Sequence, residues 1–215
     1  MTSTQKLPGE DKRKKALAFY RRIGSAGWNK SDYFTDIRKF PPLRRWISAK
    51  LPVRRGSILS LGCGTGELER FLTSEGHRVV GLDLSLDMLR RAARLGSGNL
   101  LRADAHALPF RAASFDAVVL PESIGHLELG HAIPEMAGVL KAGGWLLLTT
   151  YPGHRPVHGS YTKYSCGELA AQLARSGFAV KDKDKRFLRP GRKVIREVAS
   201  ESEADLVFLM ASKGD

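Results

Sequence analysis

SILSLGCGTGELERFL, residues 57–72, decides the fold. An apolar β-rich run enters a turn holding Gly62, Gly64 and Gly66 and passes straight into a stretch with helical periodicity. A chain that bends this sharply while letting a ligand approach its backbone has no room for Cβ atoms, hence the glycines. The helix that follows offers unpaired N–H groups to polar ligand atoms. A glycine-rich turn alone is equally a tight strand-to-helix connection, so its surroundings decide. A dinucleotide fingerprint needs a third glycine where Glu67 stands, which disfavours a nicotinamide cofactor.

Outward from this turn, short β-rich runs alternate with helical ones: RVVGLD, LDMLRRAARLG and NLLRAD, then strand candidates at Phe115–Leu120 and Trp145–Thr150. Between those two strands, HAIPEMAGVLKAGG reads as a helix ending at Gly143 and Gly144. SCGELAAQLARSGF gives another helix, followed by a run around 179–188 and a last strand near 205–211, joined by a loop-like basic connector and able to pair antiparallel. The alternation predicts an α/β fold with a parallel sheet. Asp83 lies seventeen residues beyond Gly66, where the second strand ends, so its carboxylate can accept ribose hydroxyls at the sheet's carboxyl edge. It could also be an ordinary acid opening the next helix.

Residues 1–55 differ in kind. They carry 15 basic and 4 acidic side chains, and their few apolar residues suit a helical cap or lid rather than an independent domain. Helices are expected at 12–23, with Leu17, Phe19 and Tyr20 on the apolar side, and after Pro41 and Pro42 with Leu43, Trp46 and Ile47. A second basic segment, 181–196, carries a net +6, while 56–180 is neutral, so the total of +13 sits outside the motif-bearing block. If the two segments share one side near an entrance, they form an electropositive rim suited to RNA or to an anionic membrane surface; a plain solvated surface is the alternative. No apolar run reaches a membrane span and the start has no apolar stretch typical of a secretory signal, so the expected location is cytoplasmic, with peripheral attachment at the inner membrane surface as a variant. Cys63 and Cys166 are too few for a disulfide framework or a four-ligand zinc site, so reduced thiols and no structural metal are expected.

Taken together, LSLGCGTGELE, VVGLDLSLDMLRRA, ADAHALPFRAASFDAVVL and LKAGGWLLLTT resemble the class I S-adenosylmethionine-dependent methyltransferases, in the manner of the group that includes the ubiquinone and menaquinone biosynthesis methyltransferases. The resemblance covers 57–150 and implies a doubly wound, mostly parallel seven-stranded sheet with an antiparallel last strand, residues 56–215 forming the methyltransferase domain behind the cap. It implies that Gly62, Cys63, Gly64 and Gly66 line the methionine and ribose side of S-adenosyl-L-methionine, that Asp83 with Leu84 binds the ribose, and that Asp104 and Ala105 meet the adenine. Many relatives carry an acid two residues before the first glycine, where this chain has Ser60; a hydroxyl or a bridging water would have to serve there. Cys63 fits the common turn of the family, which makes it a packing residue rather than a nucleophile.

Methyl transfer from a sulfonium needs alignment and exclusion of water more than covalent help, and a base only where the acceptor must lose a proton. LPESIGHLELGH after the fourth strand puts Glu122 and His126 at the carboxyl edge as catalytic candidates, and His154 follows the fifth strand in a Gly- and Pro-rich loop. Each has an ordinary packing or surface reading as well. Tyr20, Trp28, Tyr33 and Tyr151 are candidates for covering the acceptor. The leading expectation is methylation of a small or lipid-like molecule at O, N or C. An RNA methyltransferase is the alternative, although LPES lacks the Asn-Pro-Pro-aromatic signature of nucleobase amino-group methylation. A cofactor-binding protein without catalysis is the third.

Overall fold

The computed structural model describes residues 10–26, 46–151, 161–188, 195–197 and 206–214. Five strands run parallel: β1 (Ser57–Leu61), β2 (Arg78–Asp83), β3 (Leu100–Arg102), β4 (Phe115–Leu120) and β5 (Leu140–Thr150). β6 (Phe178–Leu188), β7 (Ile195–Glu197) and β8 (Leu206–Lys213) complete one sheet in the order β3-β2-β1-β4-β5-β8-β6-β7. β8 is antiparallel to both β5 and β6, as the expected C-terminal pair requires. The helices among the described residues are α1 (Glu10–Ala26), α2 (Glu67–Ser74), α3 (Leu86–Arg94), α4 (Leu129–Val139) and α5 (Cys166–Arg175), with a helical stretch at 46–50 and a 3-10 turn at Ile124–His126.

The period of two along the strands divides the core between two faces. Leu59, Leu61, Val118, Leu120, Leu146 and Leu148 pack on one side with Ile133, Met136, Leu169 and Leu173 from α4 and α5. Ile58, Ala117, Val119 and Leu147 pack on the other with Leu68 and Leu72 from α2 and with Trp46, Ile47 and Leu51. A sheet covered on both faces explains why these strands read as near-continuous apolar runs. The described part of the expected second helix, 46–50, is helical, with Trp46 and Ile47 buried.

Three expectations are corrected. The helix expected to run to Gly143 ends at Val139, because Leu140 already pairs with Phe115 and a register shift before Trp145 lets β5 begin there, with Gly143 at φ +67°. The connector after β6 is not only a loop: Ile195–Glu197 pairs antiparallel with Arg186–Leu188, adding an eighth, three-residue strand to the seven expected. The first helix extends beyond 12–23 at both ends. Among the described residues, no helix is long and apolar enough to cross a membrane.

The strand order reverses between β1 and β4, which both pair with neighbours on opposite sides of the same seam. Open α/β sheets hold their ligands in the crevice at such a reversal, beyond the carboxyl ends of the strands. α1 lies across this end, against α3 and the 3-10 turn.

Candidate active site

A cavity of about 180 Å³ opens at that crevice, walled by the ends of β1 to β4 and by Arg13, Ala16, Leu17 and Tyr20 of α1. On its β1 side the turn is fastened to β2: the amides of Gly62 and Cys63 both donate to the Leu82 carbonyl, at 2.8 and 3.1 Å. Gly62, Gly64 and Gly66 all lie in the left-handed region, at φ +66°, +54° and +72°. At Gly64 an added Cβ would stand in open space, so the turn presents bare backbone to the cavity; at Gly66 it would collide with Ser97. The Gly64 amide donates to Oδ2 of Asp83 (2.9 Å) and the Ser85 amide to Oδ1 (2.8 Å). Burial pushes the Asp83 carboxyl above its ordinary range, against the pull of the Ser85 and Gly64 amides. Two amide bonds leave a carboxylate with about two further acceptor positions.

At the end of β3, Asp104 accepts 2.6 Å bonds from Arg13 of α1 and from Nδ1 of His106, and a 3.0 Å bond from the His106 amide. Nε2 of His106 accepts from the Glu128 amide at 2.9 Å, so the proton of the ring belongs on Nδ1. Burial pushes the Asp104 carboxyl upward, but the His106 bonds and the Arg13 charge prevail and hold it below the usual carboxylate range. Lys12 adds a second fastening for α1, donating to the Leu127 carbonyl (3.0 Å) and the Tyr164 hydroxyl (3.1 Å) and facing Glu128 at 3.4 Å.

The β4 side carries Glu122 and His126. Glu122 has a left-handed backbone, φ +55°, rare for a residue with a side chain and costing about 1–3 kcal/mol where it persists. Its amide donates to Thr149 Oγ1 at 2.7 Å and its carboxylate accepts from the Tyr151 hydroxyl. His126, in the 3-10 turn, is nearly buried, and its Nε2 lies 2.9 Å from the Tyr20 hydroxyl. The rings of Tyr20 and Tyr161 meet the imidazole edge-on at 5.5 and 5.2 Å. Tyr161 packs directly on Gly125, where any Cβ would run into its ring.

The Methyltransf_11 family, described as a methyltransferase domain, matches residues 59–148. The ubiquinone/menaquinone biosynthesis C-methyltransferase of Erwinia tasmaniensis is 32% identical over 170 residues, 68% of this chain and 68% of that protein. The chain belongs to the class I S-adenosylmethionine-dependent methyltransferases. Demethylmenaquinone methyltransferase of Renibacterium salmoninarum is 33% identical over 155 residues, 68% of this chain and 65% of that protein, so the chain spans about two-thirds of each of these curated relatives. Among solved structures, Burkholderia thailandensis 1,6-didemethyltoxoflavin-N1-methyltransferase superposes with a TM-score of 0.68 at 18% identity, covering 100% of this chain and 94% of that one.

In this methyltransferase Gly62, Cys63, Gly64, Asp83, Leu84, Asp104, Ala105, Tyr20, Glu122 and His126 all reach the cavity wall. Three of the residues singled out from the sequence stand behind it. Gly66 packs on Ser97, Tyr151 is buried and donates to Glu122, and Ser60 is fully buried on β1 opposite Gly81. The Ser60 hydroxyl is thus part of the core and does not line the cavity. His154, Trp28 and Tyr33 lie outside the described residues. Burial pushes the Cys63 thiol far above its ordinary value, and a buried neutral thiol is no nucleophile.

Arg13, His106 and Tyr161 are brought to the site without having been singled out from the sequence. His106 had a local signal, because an Asp two residues before it accepts its amide in an Asx-type turn. Arg13 had none, being one of four consecutive basic residues.

Proposed function

We propose that this chain transfers the methyl group of S-adenosylmethionine to a small acceptor whose hydroxyl or amine must lose a proton. The observation that carries the reading is that one cavity has two chemically distinct walls: bare backbone and acceptor carboxylates at the ends of β1–β3, and a histidine, a glutamate and a tyrosine at the end of β4 and on α1. The first wall fits the donor. Gly64 leaves the space that a nucleoside would otherwise have to clear, Asp83 retains acceptor positions for two ribose hydroxyls, and Asp104 with the Ala105 backbone fits an adenine edge. When bound, S-adenosylmethionine supplies an electrophilic methyl group on a sulfonium.

The second wall handles the acceptor. The His126 Nε2 accepts the departing proton, with the Tyr20 hydroxyl at 2.9 Å as its exchange partner and the Tyr20 and Tyr161 rings fixing its plane. Glu122, oriented by Tyr151, is a second proton acceptor or a clamp on the acceptor's polar atom. Leu17, Ala16 and Leu120 exclude water from the space between.

Lys12 and Arg13, both counted in the basic N-terminal charge, point inward, with side chains only 14% and 12% exposed. That favours a small acceptor enclosed by α1 over an RNA laid across it. The test is incubation with methyl-labelled cofactor and fractionated extract. Label in a small-molecule or lipid fraction, lost in His126→Ala, supports the reading; label in the RNA fraction, or cofactor binding without transfer to any fraction, overturns it.

A further inference from the structure

Behind the glycine turn sits a buried carboxyl that the proposed chemistry does not use. Glu69, on α2, is 4% exposed, although it belongs to a helix whose other acid, Glu67, reaches the cavity mouth. It lies over Gly81 of β2. An ideal Cβ at Gly81 would stand 3.1 Å from Glu69 Cγ, 3.1 Å from Cys63 Sγ and 3.0 Å from Leu100 Cδ2, so the missing side chain of Gly81 is the space these three occupy. Ser60, the register partner of Gly81 on β1, places its fully buried hydroxyl against the Glu69 carboxyl. Neither carboxyl oxygen of Glu69 nor the Ser60 hydroxyl has a partner of good hydrogen-bond geometry. An acid kept in that condition is costly to the fold, and its retention calls for another role. Cys63, which borders the same space over Gly81, lines the cavity.

We infer that Glu69 is an electrostatic positioning residue: its carboxylate, set behind the turn, stabilises the cationic methionine end of the donor, the task Ser60 cannot perform because it bears no charge. This rests on the donor assignment proposed above. Every other group packed around Glu69 leaves that task to it. β1 offers the neutral Ser60, β3 the apolar Leu100, and the turn a neutral Cys63 thiol. Asp83 on β2 repels it. Arg70 on its own helix is turned outward, bonded to the Thr65 carbonyl and the Ser97 hydroxyl at 2.8 and 2.9 Å. Burial, reinforced by Asp83, raises the Glu69 carboxyl to about 7 against the opposing pull of Ser60, its own amide and Arg70. Its charge therefore appears as pH rises through neutrality, and a cation bound beyond the turn favours that charge.

The experiment is calorimetric titration of the protein with S-adenosylmethionine between pH 6 and 8.5, in wild type, Glu69→Gln, Asp83→Ala, and the double variant Ser60→Asp with Glu69→Gln. The donor's own amino group titrates in this range in every variant, so the difference between profiles isolates Glu69. The expected result is a rise in wild-type affinity of about three- to tenfold with pH that is absent in Glu69→Gln, the size of one unit charge acting through protein. The folded double variant, with its acid moved to the adjacent strand, regains most of the affinity at pH 8.5. Parallel profiles in wild type and Glu69→Gln would overturn the inference, as would a folded double variant that stays weak, which would assign the effect to shape. Asp83→Ala separates the two levels: if it too binds as wild type does, the donor assignment itself fails.

Discussion

The two walls of the cavity are built by opposite strategies. The donor wall comes from consecutive strand ends, and its contacts join residues close in sequence: the Gly64 amide meets Asp83 nineteen positions away and Ser85 meets Asp83 at two. The acceptor wall is assembled from far apart, Tyr20 meeting His126 across 106 residues and Lys12 meeting Leu127 across 115, and α1 also reaches over to the donor wall, where Arg13 meets Asp104 across 91. Backbone supplies most of the first wall and side chains most of the second. A wall made of backbone belongs to the fold, whereas a wall made of distant side chains belongs to this particular sequence.

If the division is functional, substitutions on the two walls separate cleanly. The largest effect is expected from His126→Ala, which removes the proposed proton acceptor. Turnover on the labelled acceptor should fall by ~10²–10⁴ while donor affinity, measured by calorimetry, holds. A parallel loss of donor affinity would show that the walls are not independent.

The next effect concerns stability at the back of the donor wall. Glu69 is raised from its ordinary 4.5 to about 7 in the fold, so between those values the native state holds a proton that the unfolded chain has released. Stability is thus highest below about pH 4.5 on this account and falls until about pH 7, with a ceiling of about 3 kcal/mol at 1.36 kcal/mol per pH unit. Denaturant melts of wild type against Glu69→Gln should diverge over that window, the variant being the more stable at pH 8. Equal melts at pH 8 would mean that burial does not raise the Glu69 carboxyl.

Asp83→Ala should weaken donor binding by roughly ten- to a hundredfold through loss of charge-assisted hydrogen bonds, with the melt nearly unchanged because the Gly62 and Cys63 amides still fasten the turn to Leu82. The smallest effect is expected from Arg13→Ala. Donor affinity should change by about threefold at most, but amide exchange across Glu10–Ala26 should quicken severalfold, as α1 loses one of its polar fastenings. Unaltered exchange there would assign the seating of α1 to its apolar contacts.

The contrast also explains what could be read from the sequence. The alternation from Ser57 to Thr150 exposed the parallel strands, and β2 was bounded correctly because Asp83 and Ser85 mark its end chemically. The end of α4 was misplaced because Leu140-Lys141-Ala142 has no helix stop of its own; pairing of Leu140 with Phe115 ends the helix from outside. β7 was missed because three residues carry no periodicity. On the proposed donor wall, Gly62, Gly64 and Asp83 stood out by position and Asp104 by the family resemblance, and all four line the cavity. Ser60 came from the family resemblance alone, and no pattern in the sequence shows that its hydroxyl is buried behind the turn. On the acceptor wall His126 and Glu122 were visible at a strand exit, but Tyr161 on Gly125 there, and Arg13 on Asp104 of the donor wall, depend on how the chain before α5 and α1 come to rest, which no local pattern encodes.

Gly125 gives that observation an evolutionary side. Its α-carbon lies so close under the Tyr161 ring that even one methyl group must push the ring away, and His126 is the next residue in the chain. A single codon change here would tilt the imidazole and reshape the acceptor chamber without touching Gly64 or Asp83. A lineage could thus trade one acceptor for another in small steps while its donor machinery stayed under unbroken selection.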